Sequence, residues 1–496
     1  MIRISLPIEV NMVFHSYIFI LVFLPMTIIG YYILDRKGAL QARQIWLITM
    51  SLVFCGYFSV QSLFVLLMSV IVNYSLGSMI HNRKSRAWQQ SILGVGIFAN
   101  VSMLLYFKYM DFFIQNMNEL LGNQSSFIEV IWPLGISFYT FSQISYLVDT
   151  YHRGEKSSGL MPYLAYITYF PKLTSGPIAL YEASRDEFAT TAVSSHFYEN
   201  ISKGIFLFTL GLGKKVLVAD YLVGIVNTGY AETANLTSTQ SVVVILAYTA
   251  YIYFDFSGYC DMAVGVSRMF GISLPINFNS PYKAVTISDF WNRWHITLSR
   301  FFTQYLYIPL GGNRKGVIRM LVNTLIVFLV SGLWHGSNWT FLVWGLLHGL
   351  AVCLDKLIKH WSIQIPKLIS WCATFVIVNV AWVYFRADSI SQANTMLRNV
   401  VTRIGVQGEV QLAESLFDLL EFRILQRLNW NDTWNNNLIG TVFVVICVCV
   451  TLIGKNSNQR TEEFRTTIKS LYLTWILLLW CMVSLTGVAT FVYLAF

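Results

Sequence analysis

Charge is the scarcest resource in this sequence. Only 12% of its 496 residues are Asp, Glu, Lys or Arg, while 55% are hydrophobic and 16% aromatic. A soluble domain carries about a quarter charged residues. A water-exposed surface cannot be built from this composition. Long polar domains are missing too, so any chemistry must be assembled from apolar segments and their connecting turns. The sequence also has no Walker loop, no G-x-S-x-G elbow, no H-E-x-x-H and no carboxylate-rich cluster. Phosphoryl transfer and metal-assisted hydrolysis therefore lack their usual scaffolds. No internal repeat or low-complexity tract stands out. The seven cysteines, Cys55, Cys260, Cys353, Cys372, Cys447, Cys449 and Cys481, lie in or beside apolar runs without zinc spacing. They read as small apolar side chains, with no disulfide framework and no metal site.

What is present is apolar run length. Phe14–Leu34, Val242–Val264, Leu438–Ile453 with its flanks and Leu471–Phe496 are the clearest runs. About 20 apolar residues cross about 30 Å of hydrocarbon as helix. Spans are predicted near 13–34, 44–60, 62–80, 91–110, 130–150, 202–227, 241–267, 320–335, 338–357, 366–386, 437–454 and 471–495. This is an all-α polytopic membrane protein of about 11–12 helices. It is expected to form one transmembrane domain over 1–496. The first run shows no cleavage site and reads as a retained span; Met12, directly before it, is a second candidate start.

The net charge of +9 comes from cations in short loops. Arg36, Lys37, Arg43, Arg83, Lys84, Arg86, Arg153 and Lys156 fall in alternate early loops, and the intervening ones near 111–129 and 228–240 are acidic or neutral. That pattern sets topology, with the N-terminus outside and the basic loops in the cytoplasm. It removes the need for a nucleic-acid partner. Two stretches do not fit simple spans. Residues 161–178 are short and end in Phe170-Pro171-Lys172 and Gly176-Pro177, and 284–316 are aromatic, basic and broken by Pro309, Gly311 and Gly312. Kinked backbone at membrane depth needs cover by protein or a watery cavity, so both read as re-entrant or interfacial. Continuing the count puts 284–316 on the cytoplasmic side. Residues 388–436 are polar, with an amphipathic segment Leu412–Leu428 suited to the membrane surface.

Eight histidines are available. His15, His81, His152, His196 and His360 sit in loops or at run ends, where a solvated or interfacial role is expected. His335 in Ser331-Gly332-Leu333-Trp334-His335-Gly336 and His348 in Trp344-Gly345-Leu346-Leu347-His348-Gly349 share G-x-x-H-G. Glycines at i and i+4 let a second helix approach closely, so a packing role is a real alternative for both. His335 also sits at a break between two predicted spans. Imidazole titrates near neutrality, and an ionisable group at membrane depth is a functional candidate. His295 lies in Phe290-Trp291-Asn292-Arg293-Trp294-His295-Ile296-Thr297, whose tryptophans and arginine also suit an interfacial anchor. Asp255 and Asp261, with Lys214 and Lys215, are expected to pair with one another.

The strings FWNRWHITLS, YLYIPLGGNRKG, SGLWHGSNWTFLVWGLLHG, YFDFSGYCDMAVG, FPKLTSGPI, GLGKKVLVAD and AWVYFRADS occur in the chain between about 100 and 390. In these the sequence resembles the membrane-bound O-acyltransferase family, in its bacterial alginate O-acetyltransferase-type branch. The resemblance implies a ring of tilted helices around a central tunnel, with a catalytic core over about 100–390 and C-terminal spans over 437–496. It implies an acyl donor reaching the tunnel from the cytoplasm, here acetyl-CoA, and an acyl group leaving on the far side. It places the family's invariant histidine at His335 and its second motif histidine at His295. His348 matches a third histidine of the branch. In that arrangement His348, Trp294, Arg293, Trp334, Asn338 and Asp255 line the donor tunnel. A separate extracytoplasmic acetyltransferase often completes transfer to a polysaccharide such as an alginate-like exopolysaccharide or a cell-wall or capsular glycan. Two departures stand out. Thr297 replaces the family's usual serine, and Thr303-Gln304 replaces Arg-Asp before Tyr305. His335 is then the base for acyl transfer, or a transient acyl carrier. His295 positions or polarises the donor, and the two lie toward opposite membrane faces. The competing readings are D-alanyl transfer to a cell-envelope polymer, a glycan transporter or flippase, and a membrane component without activity.

Overall fold

The computed structural model describes residues 12–83, 85–122, 132–153, 159–189, 197–406, 408–417, 421 and 433–485. Among these residues there are helices and connections but no strand. Eight helices are long and apolar enough to cross a membrane: Phe19–Arg36, Val60–Asn82, Arg86–Leu121, Ser238–Met269, Val317–His335, Trp339–His360, Lys367–Arg386 and Trp434–Ile453. The chain is an all-α, multi-pass membrane protein.

The other four predicted spans are helical as well, but polar, broken or short. Leu40–Phe58 carries Arg43 and Gln44 in its interior face. Ile136–Arg153 is rich in Ser, Thr and Gln. The stretch 202–227 divides into Phe197–Lys214, a π-helical turn Lys215–Ala219 and Asp220–Ala231. The last predicted span is described as the helix Ile468–Val483. The amphipathic segment Leu412–Leu428 lies mostly outside the described residues.

The chain packs as two compact units. One comprises Met1–Leu210, Tyr259–Ile276 and Phe464–Ala495. Its helix Ile136–Arg153 is buried on nearly every side. Several of the polar side chains buried there bond to neighbouring helices. Tyr163 donates to Gln143 Oε1 (2.8 Å), and Gln143 Nε2 donates to Ser69 Oγ (3.3 Å). Ser145 Oγ meets Tyr166 OH at 3.1 Å. The FPKLTSGPI stretch forms the short helix Phe170–Leu173 and a buried extended segment. Lys172 donates to Ser142 Oγ (3.1 Å) and lies 3.6 Å from the Tyr166 ring centroid. Burial holds its amine well below the usual lysine range. His15, expected near water, is only 3% exposed. It follows Phe14, which packs on Phe19, Phe54 and Tyr259, so the aromatic core draws this turn inside.

The other unit comprises Gly211–Gly258 and Asn277–Glu463. Its central feature is the hairpin of Val317–His335 and Trp339–His360. A Cβ added at Gly345 would lie 2.5 Å from Phe328 O and 3.4 Å from Gly332 Cα. One at Gly332 would collide with Phe341 O. The paired glycines therefore form the predicted close helix seam. The expected lysine–aspartate pairing is present at Lys215. Lys215 Nζ lies 2.7 Å from Asp255 Oδ1 and 2.8 Å from Asp220 Oδ1, with the lysine and Asp255 both buried. Removing one partner of such a buried pair costs about 3–5 kcal/mol, because it strands the other charge. Lys214 also donates to Ser257 Oγ (3.2 Å).

Candidate functional site

The stretch 284–316 is a chain of short pieces rather than a span. Ile287–Trp291 is a helix capped by Thr286, whose side chain accepts from Asp289 N–H. Ile296–Phe302 follows, then the π-helical turn Thr303–Tyr307. Between the first two helices the backbone reverses, and His295 takes φ 44° and ψ 51°. A histidine in the left-handed region costs about 1–3 kcal/mol and persists only where its surroundings fix it. Asn277 provides the fix. Its Oδ1 accepts from Thr297 N–H (3.2 Å) and Thr297 Oγ1–H (2.9 Å), and lies 3.1 Å from His295 Nδ1. Its backbone carbonyl accepts from Ile296 N–H (3.0 Å). Thr297, the departure from the family serine, keeps the hydroxyl that this cluster needs.

That cluster determines the tautomer of His295. Two Thr297 donors identify the Asn277 atom as oxygen, and an amide oxygen only accepts. His295 Nδ1 therefore carries hydrogen and donates. The ring is fully buried, and desolvation pushes its pKa down to about 3. It is neutral at ordinary pH, with its lone pair on Nε2.

His335 is the last residue of Val317–His335, which ends as Gly336 turns to extended backbone (φ −169°). Its ring packs between Trp334 (4.8 Å between centroids), Trp344 (4.9 Å) and Phe385 (5.2 Å). The His295 ring lies 6.5 Å away, and Trp334 is 6.2 Å from His295. The loop-charge count sends these histidines toward opposite faces of a bilayer about 30 Å thick in its core. A separation of 6.5 Å makes them neighbours in one site. The half of 284–316 that carries His295 packs into the protein, with Phe290, Trp291, Trp294, His295, Thr297 and Leu298 buried, whereas 303–316 lie mostly at the surface.

His348 joins the same aromatic assembly. Its ring centroid is 5.0 Å from Trp344, 5.0 Å from Trp291 and 6.1 Å from Trp382. Trp291 Nε1–H donates to His348 Nδ1 at 3.3 Å.

The remaining sequence-predicted residues divide by environment. Trp334 touches both histidines of the central pair. Trp294 is buried in the wall, 4.9 Å from both Phe278 and Trp382. Arg293 faces outward, ion-paired to Asp289 at 2.8 Å with both side chains about a third exposed. It helps to hold the turn and does not reach the rings. Asn338 is the N-cap of Trp339–His360, accepting from Thr340 N–H (3.1 Å) and donating to Asp388 O (2.9 Å). Asp255 is committed to Lys215, and its chain neighbour Phe256 packs edge-on against His295 at 4.8 Å. Sequence reasoning passes over Asn277, which has no motif around it. It also assigns no role to Trp291, Trp344, Trp382 or Phe385, although all four lie inside the quoted strings. Tryptophan repeating beside histidine in those strings is the signal that could have found them.

Apolar rings lower the local dielectric, so a net charge is costly here and hydrogen bonds are strong. The arrangement suits a neutral substrate whose reaction moves one proton. Among the described residues no three His, Cys, Asp or Glu side chains gather as metal ligands.

The comparisons with known proteins agree with this chemistry. The family model for membrane-bound O-acyltransferases matches residues 21–387, which include all three histidines. The peptidoglycan O-acetyltransferase of Helicobacter pylori is 37% identical over 482 residues, covering 90% of this chain and 90% of that protein. The probable alginate O-acetylase AlgI of Pseudomonas aeruginosa is 35% identical over 391 residues, covering 77% and 73%. The teichoic acid D-alanyltransferase of Bacillus subtilis is 28% identical over 255 residues, covering 49% and 65%. The chain belongs to the membrane-bound O-acyltransferase family and is an O-acyltransferase.

Proposed function

We propose that this protein takes an acetyl group from acetyl-CoA at the cytoplasmic face of the bacterial inner membrane and delivers it for O-acetylation of a cell-envelope polysaccharide. The observation that carries the reading is the neighbouring pair His295 and His335, 6.5 Å apart in a buried aromatic wall. Peptidoglycan is the first acceptor to test, because the Helicobacter pylori relative spans 90% of both chains. An extracytoplasmic acetyltransferase is the expected partner for the final step.

The reaction is acyl exchange. An acceptor hydroxyl attacks the thioester carbonyl carbon while His335 takes the hydroxyl proton. A carbon–oxygen bond forms and the carbon–sulfur bond breaks. The departing thiolate recovers the proton from the His335 imidazolium. Thioester and alcohol become ester and thiol, and the histidine is regenerated. A placed base of this kind supplies roughly 10²–10⁴ in rate, or about 3–5 kcal/mol. In this reading His295 positions rather than polarises. Its Nδ1 hydrogen is engaged by Asn277, so it acts through Nε2 as an acceptor that orients a hydroxyl or imidazole N–H.

The test is the O-acetyl content of the envelope polysaccharide, with transfer of labelled acetyl from acetyl-CoA in membrane vesicles. His335→Ala should keep normal membrane abundance and lose at least about 10²-fold in transfer. Normal acetylation in that variant would sink the assignment. Label transfer from D-alanine instead of acetate would move the protein to the D-alanylating branch.

A further inference from the structure

Helix Trp339–His360 carries Thr340, Trp344 and His348 at four-residue spacing. That spacing puts them on one face, rising about 6 Å per step. All three are fully buried. Thr340 Oγ1, Trp344 Nε1 and His348 Nε2 each lack a protein hydrogen-bond partner among the described residues. One orphaned buried donor costs about 1–3 kcal/mol, so three in line on one helix face need an explanation.

The chemistry of the three atoms narrows what they receive. An indole nitrogen only donates, so the hydrogen between Trp291 and His348 belongs to Trp291. His348 Nδ1 is then the acceptor, and the neutral ring carries its hydrogen on Nε2. Trp344 Nε1 is also a donor only. The ligand of this face must therefore accept hydrogen bonds. It must be uncharged, because the surrounding rings solvate no ion. It must also lie beside His335, since Trp344 stands between the two histidines, 4.9 Å from His335 and 5.0 Å from His348. The carbonyl oxygen of an ester or thioester meets all three conditions.

We propose that Trp344 Nε1–H and His348 Nε2–H receive the carbonyl oxygen of the acyl group on which His335 acts, with Trp291 as the positioning residue that holds His348 in its donor form. This rests on the acyl-transfer reading and adds the groups that bear the developing oxyanion. A donor placed there strengthens its bond as the carbonyl oxygen gains charge in the transition state.

The test uses the full-length protein in its host membrane, with polysaccharide O-acetylation scaled to membrane abundance. ¹⁵N NMR of histidine-labelled purified protein reads the tautomer. His348→Leu should lower acetylation about 10²-fold, the scale of one lost oxyanion donor. His348→Gln, whose amide can still donate, should recover most of it. Trp291→Phe should cost about tenfold and convert the single Nε2–H form of His348 into a mixture of tautomers. Wild-type acetylation in His348→Leu would overturn the donor role. So would a His348→Gln variant no better than His348→Leu, or a wild-type His348 protonated on Nδ1. A wild type that transfers no acyl group would overturn the acyl-transfer reading itself. Survival of transfer in His348→Leu would overturn only the donor role.

Discussion

His295 and His348 are the same side chain at the same depth of burial, yet they present opposite chemistry. His295 leans on an amide oxygen, which fixes hydrogen on Nδ1 and leaves Nε2 to accept. His348 leans on an indole N–H, which fixes hydrogen on Nε2 and makes that edge a donor. Between them lie His335 and Trp344. Neither orientation is a property of histidine. Each is imposed by one neighbour that can only accept or only donate. A buried imidazole is thus specified by the hydrogen-bond partner of its Nδ1 as much as by its position in the chain.

The sharpest way to break this contrast is to remove the oxygen that defines the His295 side. Asn277→Leu removes the shared acceptor of Thr297 N–H, Thr297 Oγ1–H and His295 Nδ1–H at once. Stability should fall by about 3 kcal/mol, and transfer should fall by more than the stability loss explains, because the ring is free to turn over. Thermal unfolding in detergent with parallel acetylation measurements checks both. Unchanged stability would mean that the Asn277 cluster does not hold the turn.

Acid offers a milder probe. Unfolded His295 titrates near 6.5, while the folded ring resists protonation down to about 3. Below pH 6.5 the unfolded state therefore binds a proton that the folded state refuses, and His295 weakens the fold progressively as pH falls toward 3. Above 6.5 it contributes no pH dependence. The melting temperature of wild type should drop over that window more steeply than that of His295→Gln. Parallel curves would remove the burial argument.

The smallest expected effect is at Thr297. Thr297→Ser keeps the hydroxyl bonded to Asn277 and should change transfer less than about twofold, whereas Thr297→Val should cost about 1 kcal/mol of stability. Equal behaviour of the two variants in thermal unfolding would show that the hydroxyl plays no part.

Much of this architecture is legible in the sequence because partitioning into a bilayer depends on contiguous segments. Run length marked the helices at Val60–Asn82, Val317–His335 and Lys367–Arg386 within a few residues. The paired glycines marked the seam between Val317–His335 and Trp339–His360. The G-x-x-H-G repeats isolated His335 and His348. Legibility fails where an outcome depends on a distant partner. Arg293 and Asn338 sit inside diagnostic strings, yet one faces outward on Asp289 and the other caps a helix. Charge counting assigns a membrane side to each loop and carries no information on the 6.5 Å between the His295 and His335 rings.

The sequence by itself therefore determined the solvent, the helices and the short roster of histidines, since hydropathy and periodicity act over one or two turns. Only the tertiary structure decided that His295 and His335 are neighbours and which ring nitrogen each flanking histidine offers. Those decisions are made by contacts across 18 residues, from Asn277 to His295, and 57 residues, from Trp291 to His348. A tautomer is set by whichever donor or acceptor packing brings within about 3 Å, and no local pattern encodes that.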